Sequence, residues 1–390
     1  MILWFILSLV LLSLIVYVMQ IVALRKKLNE KYTPAHTFPP ISIIKPLKGL
    51  DDNLFDNLES FCKQDYPEYE IIISLQDYND LAYKVAEKIR SKYPHLVKIV
   101  VDDSYKALNP KVKNMYSAYR ISKYEYFLIS DSNVYVESDY LKRTVSAMTP
   151  ETGLVTNLIM GVGGKSFGAK LENLHLNSFI LLSVCFLDKF LKIPCSIGKS
   201  MLMRKSDFEA IGGFGVIKDV LAEDYMIGEL IHKMGKKVIL CNYIIKNVNE
   251  YWSLKRFLNR HTRWAKIRWK IAGIKYFTEP LNNPIFLSSL LTIFDGFSRT
   301  SIFIFLLIVL IKTVFDLHIS RIIKASTKFS GILIPIKDLI AILIWFIPLV
   351  SSKINWRGNI YKISRNTTII PIEKNTIKLI YSKLKTVFIN

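Results

Sequence analysis

Two kinds of hydrophobic pattern alternate along the 390-residue chain: long apolar runs towards its ends, and shorter, interrupted runs between them. The first long run covers residues 1–24, contains no charged side chain and is followed by Arg25, Lys26 and Lys27. As a helix it reaches ~36 Å, which exceeds the ~30 Å hydrocarbon core of a bilayer. It also lacks the charged start and small-residue cleavage site of a signal peptide. The pattern therefore favours a retained transmembrane anchor over a cleaved signal.

Further apolar runs lie in the last third of the chain. Residues 301–315 and 331–350 are clear candidates for membrane segments, and 284–294 is a weaker one. Because cations beside a span favour the cytosolic side, we expect the central part and the basic residues 353–390 both to be cytosolic. That arrangement requires an even number of spans within 281–352, and the pattern leaves their number open.

The central part of the chain alternates short apolar runs with amphipathic ones. Strands are predicted at 41–47, 70–77, 97–103 and 126–133. The intervening runs have helical periodicity, and one of these helices opens at Asn109-Pro110. This order is typical of βαβ units, which form a mostly parallel sheet with helices on both faces. The predicted fold class is therefore α/β, with ligands expected at the carboxyl ends of the strands.

Composition adds a strong positive charge to this picture. The chain carries 53 Lys and Arg against 32 Asp and Glu, a net charge of +21, and 51% of its residues are hydrophobic. The cations crowd beside the apolar runs, at 25–27, 255–275 and 353–385, where such residues attract anionic lipid. An anionic membrane surface is therefore a better candidate partner than nucleic acid. The four cysteines have no metal-ligand spacing and are expected to be reduced in the cytosol.

Acidic residues follow several of the predicted strands. Asp77 and Asp80 come after the second strand, Asp131 ends the fourth, and Asp224 follows Glu223 at the start of an amphipathic run. Each acid alone is most simply a turn former or a helix cap. Together at one edge of a sheet, however, their charges require compensation, for which a divalent metal ion with a diphosphate is usual.

Eight short motifs occur in order between residues 41 and 270. They are PLKGLDDNL (46–54), QDYND (76–80), NPKVKN (109–114), DSN (131–133), GKSMLMRK (198–205), IGGF (211–214), AEDY (222–225) and RHTRW (260–264). In order and spacing this set resembles the ceramide glucosyltransferase family. The resemblance implies a GT-A fold and inverting transfer of a hexose, typically glucose from UDP-glucose, to the hydroxyl of a lipid such as ceramide. Bacterial relatives that glycosylate hopanoids or other lipids look similar.

The resemblance also implies a nucleotide-sugar site. Asp80 would help to hold the nucleotide, with Asp77 beside it, and Asp131 would bind Mg²⁺ or Mn²⁺ that bridges the diphosphate. Asn133 stands where many GT-A enzymes have a second acid; its amide oxygen can ligate a metal ion but brings no charge, so metal dependence is left open. Lys111 is either a further nucleotide ligand or part of a solvated helix face.

The last two motifs carry the expected chemistry of transfer. Asp224 matches the family's general base, which takes the proton of the attacking hydroxyl. The spacing of RHTRW places Arg260, Arg263 and Trp264 on one helical face. Guanidinium groups can form forked hydrogen bonds with the leaving diphosphate, and an indole can stack on sugar or lipid.

The same stretch contains cations outside the motif. A helix that lies in the membrane interface is expected to present these cations to lipid headgroups, together with Trp269: Lys255, Arg256, Lys266, Arg268 and Lys270. The simpler interpretation is a basic juxtamembrane helix without a catalytic face.

The predicted organisation follows from these assignments. Its parts are a transmembrane anchor (1–24), a linker (25–40), a cytosolic GT-A catalytic domain (41–250), a basic interfacial helix (251–280), C-terminal transmembrane segments (281–352) and a basic cytosolic tail (353–390). The expected protein is a multi-pass membrane glycosyltransferase with a UDP-sugar donor and a lipid acceptor. Two alternatives are a processive polysaccharide synthase, which needs more spans, and a catalytically inactive lipid-binding scaffold.

Overall fold

A computed structural model describes residues 1–33, 37–325, 330–356 and 359–372. The strands within these ranges are β1 (Ile41–Pro46), β2 (Tyr69–Leu75), β3 (Val97–Val101), β4 (Tyr126–Ile129), β5 (Val134–Tyr135), β6 (Thr152–Val162), β7 (Met201–Arg204), β8 (Lys237–Val248), β9 (Lys353–Trp356), β10 (Asn359–Ile363) and β11 (Ile369–Pro371). The α-helices are α1 (Ile2–Leu28), α2 (Leu54–Cys62), α3 (Leu81–Lys92), α4 (Pro110–Arg120), α5 (Tyr140–Val145), α6 (Phe167–His175), α7 (Leu181–Phe186), α8 (Lys205–Ala210), α9 (Gly213–Ile217), α10 (Glu223–Lys233), α11 (Leu254–Ala272), α12 (Pro284–Phe294), α13 (Arg299–Ile322) and α14 (Ser330–Val350).

The first eight strands form one sheet in the order β3-β2-β1-β4-β7-β6-β8-β5. Strands β3, β2, β1 and β4 run parallel, whereas β7 is antiparallel to both of its neighbours. Helices cover both faces of the parallel part, so its strands are apolar on both sides. Ile43, Ile44, Ile72 and Ile129 are accordingly buried. The sheet agrees with the α/β class predicted from the sequence, while the antiparallel β7 was not predicted.

The carboxyl ends of β1, β2 and β4 meet at one edge of the sheet, where capping interactions fix the loops. Asp80 caps α3 by accepting a hydrogen bond from Ala82 N at 2.9 Å. Its carboxylate also accepts from Gly49 N at 2.9 and 3.0 Å, and Gly49 has a φ of +69° that glycine adopts without strain. Asn109 caps α4, which confirms the predicted start of that helix.

An apolar helix of span-like length lies inside the predicted catalytic domain. It covers Phe167–Leu191, with a mean hydropathy of 1.5, and consists of α6, a π-helical turn (Leu176–Ile180), α7 and a second π-helical turn (Leu187–Leu191). Strand β6 precedes it and β7 follows it, and these strands pair with each other. A single crossing would place them on opposite sides of a membrane. The helix therefore does not cross the membrane, and it packs against α1.

In the described ranges, α1, α13 and α14 are also long and apolar enough to cross a membrane. They correspond to the apolar runs predicted at 1–24, 301–315 and 331–350: α1 covers residues 2–24 of the first run, and α1 and α13 extend beyond their runs. Helix α12, the weaker candidate, has 11 residues, which gives ~16 Å against a hydrocarbon core of ~30 Å. These helices make the protein membrane-associated, and α12 is too short to span.

A buried cluster of charges joins the three long helices. Lys312 on α13 lies 2.6 Å from Asp316 Oδ2 and 3.5 Å from Asp338 Oδ2 on α14. Lys337 lies 2.8 Å from Asp338 Oδ1, and the hydroxyl of Tyr17 on α1 donates to Asp316. Charges in an apolar environment persist only when paired. The two lysines and two aspartates balance, so the cluster fixes how these helices pack.

Strands β9, β10 and β11 form a second sheet that docks on the predicted catalytic domain. Ile369 N donates to Asp219 O at 2.9 Å, and Leu221 N donates to Thr367 O at 2.9 Å. Part of the predicted tail at 353–390 is therefore a folded element, which corrects that assignment. Residues 373–390 of the tail lie outside the described ranges.

The charge cluster predicts a specific pattern of stability. Lys312→Met should lower the stability of the purified protein by about 3–5 kcal/mol, because it leaves a buried carboxylate without its cation. The double variant Lys312→Met/Asp316→Asn should recover part of the loss, since it restores charge balance. Thermal unfolding in detergent measures both. Arg299→Gln, an exposed cation on the same helix, serves as control, and equal losses in the single and double variants would contradict the pairing.

Candidate active site

An acid flanked by two lysines stands at the carboxyl edge of the sheet. Asp131, just after β4, has Lys111 Nζ 2.8 Å from Oδ1 and Lys199 Nζ 2.8 Å from Oδ2. Lys111 comes from the first turn of α4, and Lys199 precedes β7. Three separate elements thus place one anion and two cations together. Burial would raise the pKa of Asp131, but Lys111 and Lys199 hold it well below its usual value.

Lys111 is the link between this acid and the start of α10. Its Nζ also lies 2.8 Å from Glu223 Oε1 and donates to Gly198 O at 3.3 Å. Burial alone would lower the pKa of Lys111, but the charges of Asp131 and Glu223 outweigh burial and raise it. The ammonium is therefore a fixed positive charge of the site, and the interpretation of Lys111 as part of a solvated helix face is wrong.

A third lysine contacts the backbone of Asp131. Lys45, in β1, donates to the backbone oxygen of Asp131 at 2.7 Å, and its ammonium lies 3.7 Å from the centre of the Phe61 ring. Burial lowers the pKa of Lys45 well below its usual value. Because it contacts the backbone rather than the carboxylate, Lys45 fixes the position of the loop after β4.

Asp224, the predicted base, has a different environment from Asp131. Its Oδ2 accepts a hydrogen bond from Gly198 N at 2.8 Å, and its Oδ1 accepts from Tyr225 N at 2.8 Å. Burial and the neighbouring charge of Glu223 raise the pKa of Asp224 to about 6. A carboxylate with a pKa close to neutrality is suited to accept a proton during reaction.

Asp77 and Asp80, the predicted nucleotide ligands, both accept hydrogen bonds from loop residues in this structure. Asp77 is exposed and accepts hydrogen bonds from the backbone and side-chain amides of Asn79, at 2.8 and 3.1 Å. Asp80 is half-buried between the loops after β1 and β2, as described above. Both lie beyond the carboxyl end of β2, and their contact with a nucleotide stays a prediction.

Asn133 and Asp131 together form an oxygen-lined position for a cation. The ammonium of Lys199 lies 2.7 Å from Asn133 Oδ1 as well as 2.8 Å from Asp131 Oδ2. Carboxylate and amide oxygens are donors that Mg²⁺ and Mn²⁺ accept, so this donor set fits the predicted divalent cation once the ammonium moves aside. In the part of the chain that the structure describes, no group of three His, Cys, Asp or Glu side chains could hold a metal ion. The remaining ligands would therefore have to come from the diphosphate or water.

The RHTRW motif lies on α11, and its two arginines have different surroundings. Arg260 is buried, with Nη1 3.1 Å from Glu172 Oε1 on α6, and its guanidinium lies 4.3 Å from the centre of the Trp264 ring. Arg263 lies over Trp356 of the second sheet, 5.7 Å from the ring centre. Arg260 and Trp264 therefore share a face, whereas Arg263 points to another neighbour. Their roles in transfer stay predictions.

Arg260 is electrostatically connected with the lysine cluster. Burial lowers the pKa of Lys199, and the positive charge of Arg260 lowers it further. A negative group that entered between these cations would relieve their repulsion. The cluster is thus suited to receive an anion such as a diphosphate.

Two of the cations expected to face lipid instead contact protein groups. Lys266 is buried and donates to the backbone oxygen of Lys353. Arg268 pairs with Glu279, with Nε 2.6 Å from Oε1. The expectation that they contact headgroups is therefore wrong, because the second sheet and the 3₁₀ segment Gly273–Asn282 cover that side of α11.

A family of known proteins matches this sequence over nearly its full length. The pattern of glycosyl transferase family 21 matches residues 5–369. The chain belongs to glycosyltransferase family 21. This membership confirms the predicted ceramide glucosyltransferase family and the predicted hexosyltransferase activity.

Several relatives of this glycosyltransferase are known. "Ceramide glucosyltransferase 3" of Caenorhabditis elegans is 28% identical over 374 residues, which cover 91% of this chain and 80% of the relative. "Ceramide glucosyltransferase 1" of the same organism is 30% identical over 260 residues, 66% of this chain and 56% of the relative. The enzyme of Komagataella phaffii is 31% identical over 212 residues, and the match spans less than half of either chain, 47% of this one and 42% of the relative.

Two solved structures are similar to this glycosyltransferase at low sequence identity. A mannosyltransferase from Pyrobaculum calidifontis, in complex with GDP-Man and Mn²⁺, has a TM-score of 0.47 at 14% identity and covers 88% of this chain and 99% of its own. Residues 1–349 of TarS from S. aureus have a TM-score of 0.40 at 16% identity. The match covers 86% of this chain and 99% of the TarS chain.

Sequence reasoning missed four charged residues of the glycosyltransferase site. They are Lys45, Glu172, Lys199 and, as a partner of Lys111, Glu223. A lysine within the apolar run of β1 and a glutamate within the apolar helix 167–191 were detectable signals, because charges in such runs are rare unless paired. Lys199 lies within a motif that was identified, but its partners come from distant parts of the chain.

The close approach of Gly198 to Asp224 predicts a sensitive position. A Cβ added at Gly198 would lie 2.8 Å from Asp224 Oδ2, so Gly198→Ala should displace the carboxylate. The transfer rate should fall by roughly 10- to 100-fold, because a shift of about 1 Å at a reacting group costs on the order of 100-fold. Gly215→Ala is the matched control, since its Cβ would meet nothing within 4 Å. Equal rates for Gly198→Ala and the wild type would contradict the placement of Asp224.

Proposed function

We propose that this enzyme transfers glucose from UDP-glucose to the hydroxyl of a membrane lipid, with ceramide as the acceptor. Two C. elegans relatives whose matches cover most of this chain are named ceramide glucosyltransferases. The main structural support is that one sheet edge holds both a cation cluster at Asp131 and a separate carboxylate with a raised pKa, Asp224. The first is suited to a diphosphate and the second to a hydroxyl proton.

Asp224 acts as the general base in this proposal. The acceptor hydroxyl attacks the anomeric carbon as its proton passes to the carboxylate, and the bond between sugar and diphosphate breaks, which inverts the anomeric configuration. Hydrogen bonds from Gly198 N and Tyr225 N hold both carboxylate oxygens, so the base is oriented before the acceptor arrives.

The leaving diphosphate is stabilised by the cation cluster. Lys111 and Lys199 exchange part of their contact with Asp131 for phosphate oxygens, and Arg260 of α11, whose charge acts on Lys199, adds a further cation. Asp77 and Asp80 lie on the loop that holds the nucleotide. A divalent cation held by Asp131 and Asn133 would supply further positive charge to the diphosphate.

The catalytic domain lies on the cytosolic side of the membrane. It contacts the second sheet directly, so the chain between them crosses the membrane an even number of times. Helices α13 and α14 supply two crossings, and α12 is too short for a third. The cations after α1 favour the cytosolic side, and exposed ones such as Lys26 and Lys255 attract anionic lipid.

The function is tested by product identification. Membranes with the wild-type enzyme or with Asp224→Asn are incubated with ceramide and, separately, UDP-glucose, UDP-galactose, UDP-N-acetylglucosamine or GDP-mannose. Mass spectrometry should find a β-linked glucosyl lipid with UDP-glucose and wild type, and none with Asp224→Asn, while both proteins bind UDP. Transfer to another lipid, or from another donor, would contradict the proposed substrate.

The environment of Asp224 predicts the pH dependence of transfer. The rate should fall as pH drops through about 6, since Asp224 is then protonated and cannot accept a proton. Glu223→Gln removes a negative charge that raises the pKa of Asp224, so the acidic limb of the pH profile should move to lower pH. Glu229→Gln, on the same helix, should leave it in place, and an unchanged limb in Glu223→Gln would contradict the coupling.

A further inference from the structure

A cleft with aromatic walls lies between α11, α12, α14 and the end of α6. Phe179, Phe257, Phe286 and Trp345 form much of its lining. The cleft is separate from the lysine cluster and borders two of the apolar C-terminal helices. Such a site suits a ligand that is apolar over most of its length.

His175 forms part of the wall of this cleft. The side chain is buried, and its Nε2 has no hydrogen-bond partner among the described residues. Its ring lies 4.2 Å from the ring of His261 and 4.8 Å from that of Phe179, between centres. A buried polar atom without a partner is costly, so its position at the cleft points to a ligand that supplies the missing hydrogen bond.

The other polar groups of the cleft are already paired. His261 Nε2 lies 2.6 Å from Glu172 Oε2, and Arg268 Nε lies 2.6 Å from Glu279 Oε1. These neighbours therefore place no unpaired charge beside His175. A neutral hydroxyl or amide matches this environment, whereas a phosphate would leave its charge uncompensated.

The cleft is joined to the transfer site through one buried carboxylate. Glu172 binds His261, which lines the cleft, and also Arg260 of the RHTRW motif. Arg260 in turn acts on Lys199 of the cation cluster. Glu172 and Arg260 thus link the polar wall of the cleft to the cation cluster.

The opposite end of the cleft faces the membrane helices. Phe346 beside Trp345 is 46% exposed, and Phe277 of the 3₁₀ segment is 48% exposed. Both rings pack edge-on against Trp345, with centres 4.9 and 5.7 Å apart. Exposed aromatic rings on apolar helices are stable against lipid, so hydrocarbon chains can leave the cleft here without entering water.

We infer that this cleft binds the polar end of the acceptor lipid, and that His175 Nε2 hydrogen-bonds a neutral hydroxyl or amide next to the hydroxyl that reacts. The inference rests on the proposed transfer to a lipid and specifies which part of the protein recognises the acceptor. The aromatic walls contact the start of the hydrocarbon chains, and the reacting hydroxyl extends past α11 towards Asp224.

Kinetics with UDP-glucose and short-chain ceramide test the role of His175. His175→Leu should raise the KM for ceramide about three- to tenfold, the range expected for one neutral hydrogen bond, while the KM for UDP-glucose stays unchanged. His175→Gln, which keeps a hydrogen-bonding group, should recover part of the loss. Ser183→Ala is the matched control, because Ser183 Oγ is another buried atom without a partner on the same helix but outside the cleft.

A second variant tests the cleft without altering His175. Ala341→Phe places a ring in the cleft from α14 and should also raise the KM for ceramide. The inference is overturned if the ceramide KM is unchanged in both variants, or if the KM for UDP-glucose rises equally, which indicates a structural role. If the wild type itself transfers no sugar to ceramide or another lipid, the proposed function fails, and the assignment of this cleft fails with it.

Discussion

The charge of Asp131 is the constraint on which the rest of the site depends. A carboxylate largely removed from water at the carboxyl edge of the sheet requires cations, and Lys111 and Lys199 supply them at 2.8 Å each. The same lysines connect Asp131 with the other parts of the candidate site. Lys111 holds Glu223 at the start of α10, and Lys199 follows Gly198, whose N–H binds Asp224. One ion-pair network thus fixes the distance between the cation cluster and Asp224.

Two aspartates on this edge have opposite electrostatic surroundings. Asp131 is held ionised by lysines, whereas burial and Glu223 raise the pKa of Asp224 to about 6. Residues of the same type are therefore suited to different tasks: Asp131 is a fixed anion that organises cations, and Asp224 has the raised pKa that the proposed role of proton acceptor requires. The separation depends on Lys111 pairing with Glu223, since an unpaired glutamate beside Asp224 would raise its pKa further.

Helix α11 connects the site to the membrane. One face carries Arg260 and Trp264 towards Glu172 of α6, and other residues of the helix contact the second sheet and the 3₁₀ segment. The apolar helix 167–191 lies between the sheet and α1, and Lys337 of α14 donates to its Ser178 at 2.7 Å. Buried polar contacts of this kind specify one arrangement among many that apolar packing alone would allow. The large sheet and the long apolar helices are thereby held in one geometry.

Local patterns in the sequence determined the long apolar helices, the βαβ order, the caps at Asp80 and Asn109, and the motif acids Asp131 and Asp224, because each depends on neighbours within a few residues. The tertiary structure decided what those patterns could not contain. Lys199 joins Asp131 from 68 positions away in the chain, and Glu172 joins His261 from 89 positions away. The sequence pattern assigned 167–191 to a soluble domain and 353–371 to a tail. The pairing of β6 with β7 fixes the position of the first segment, and backbone hydrogen bonds to Asp219 and Leu221 fix that of the second. Local periodicity records which face of an element is apolar, but the partner of a buried charge is set only when distant elements pack together.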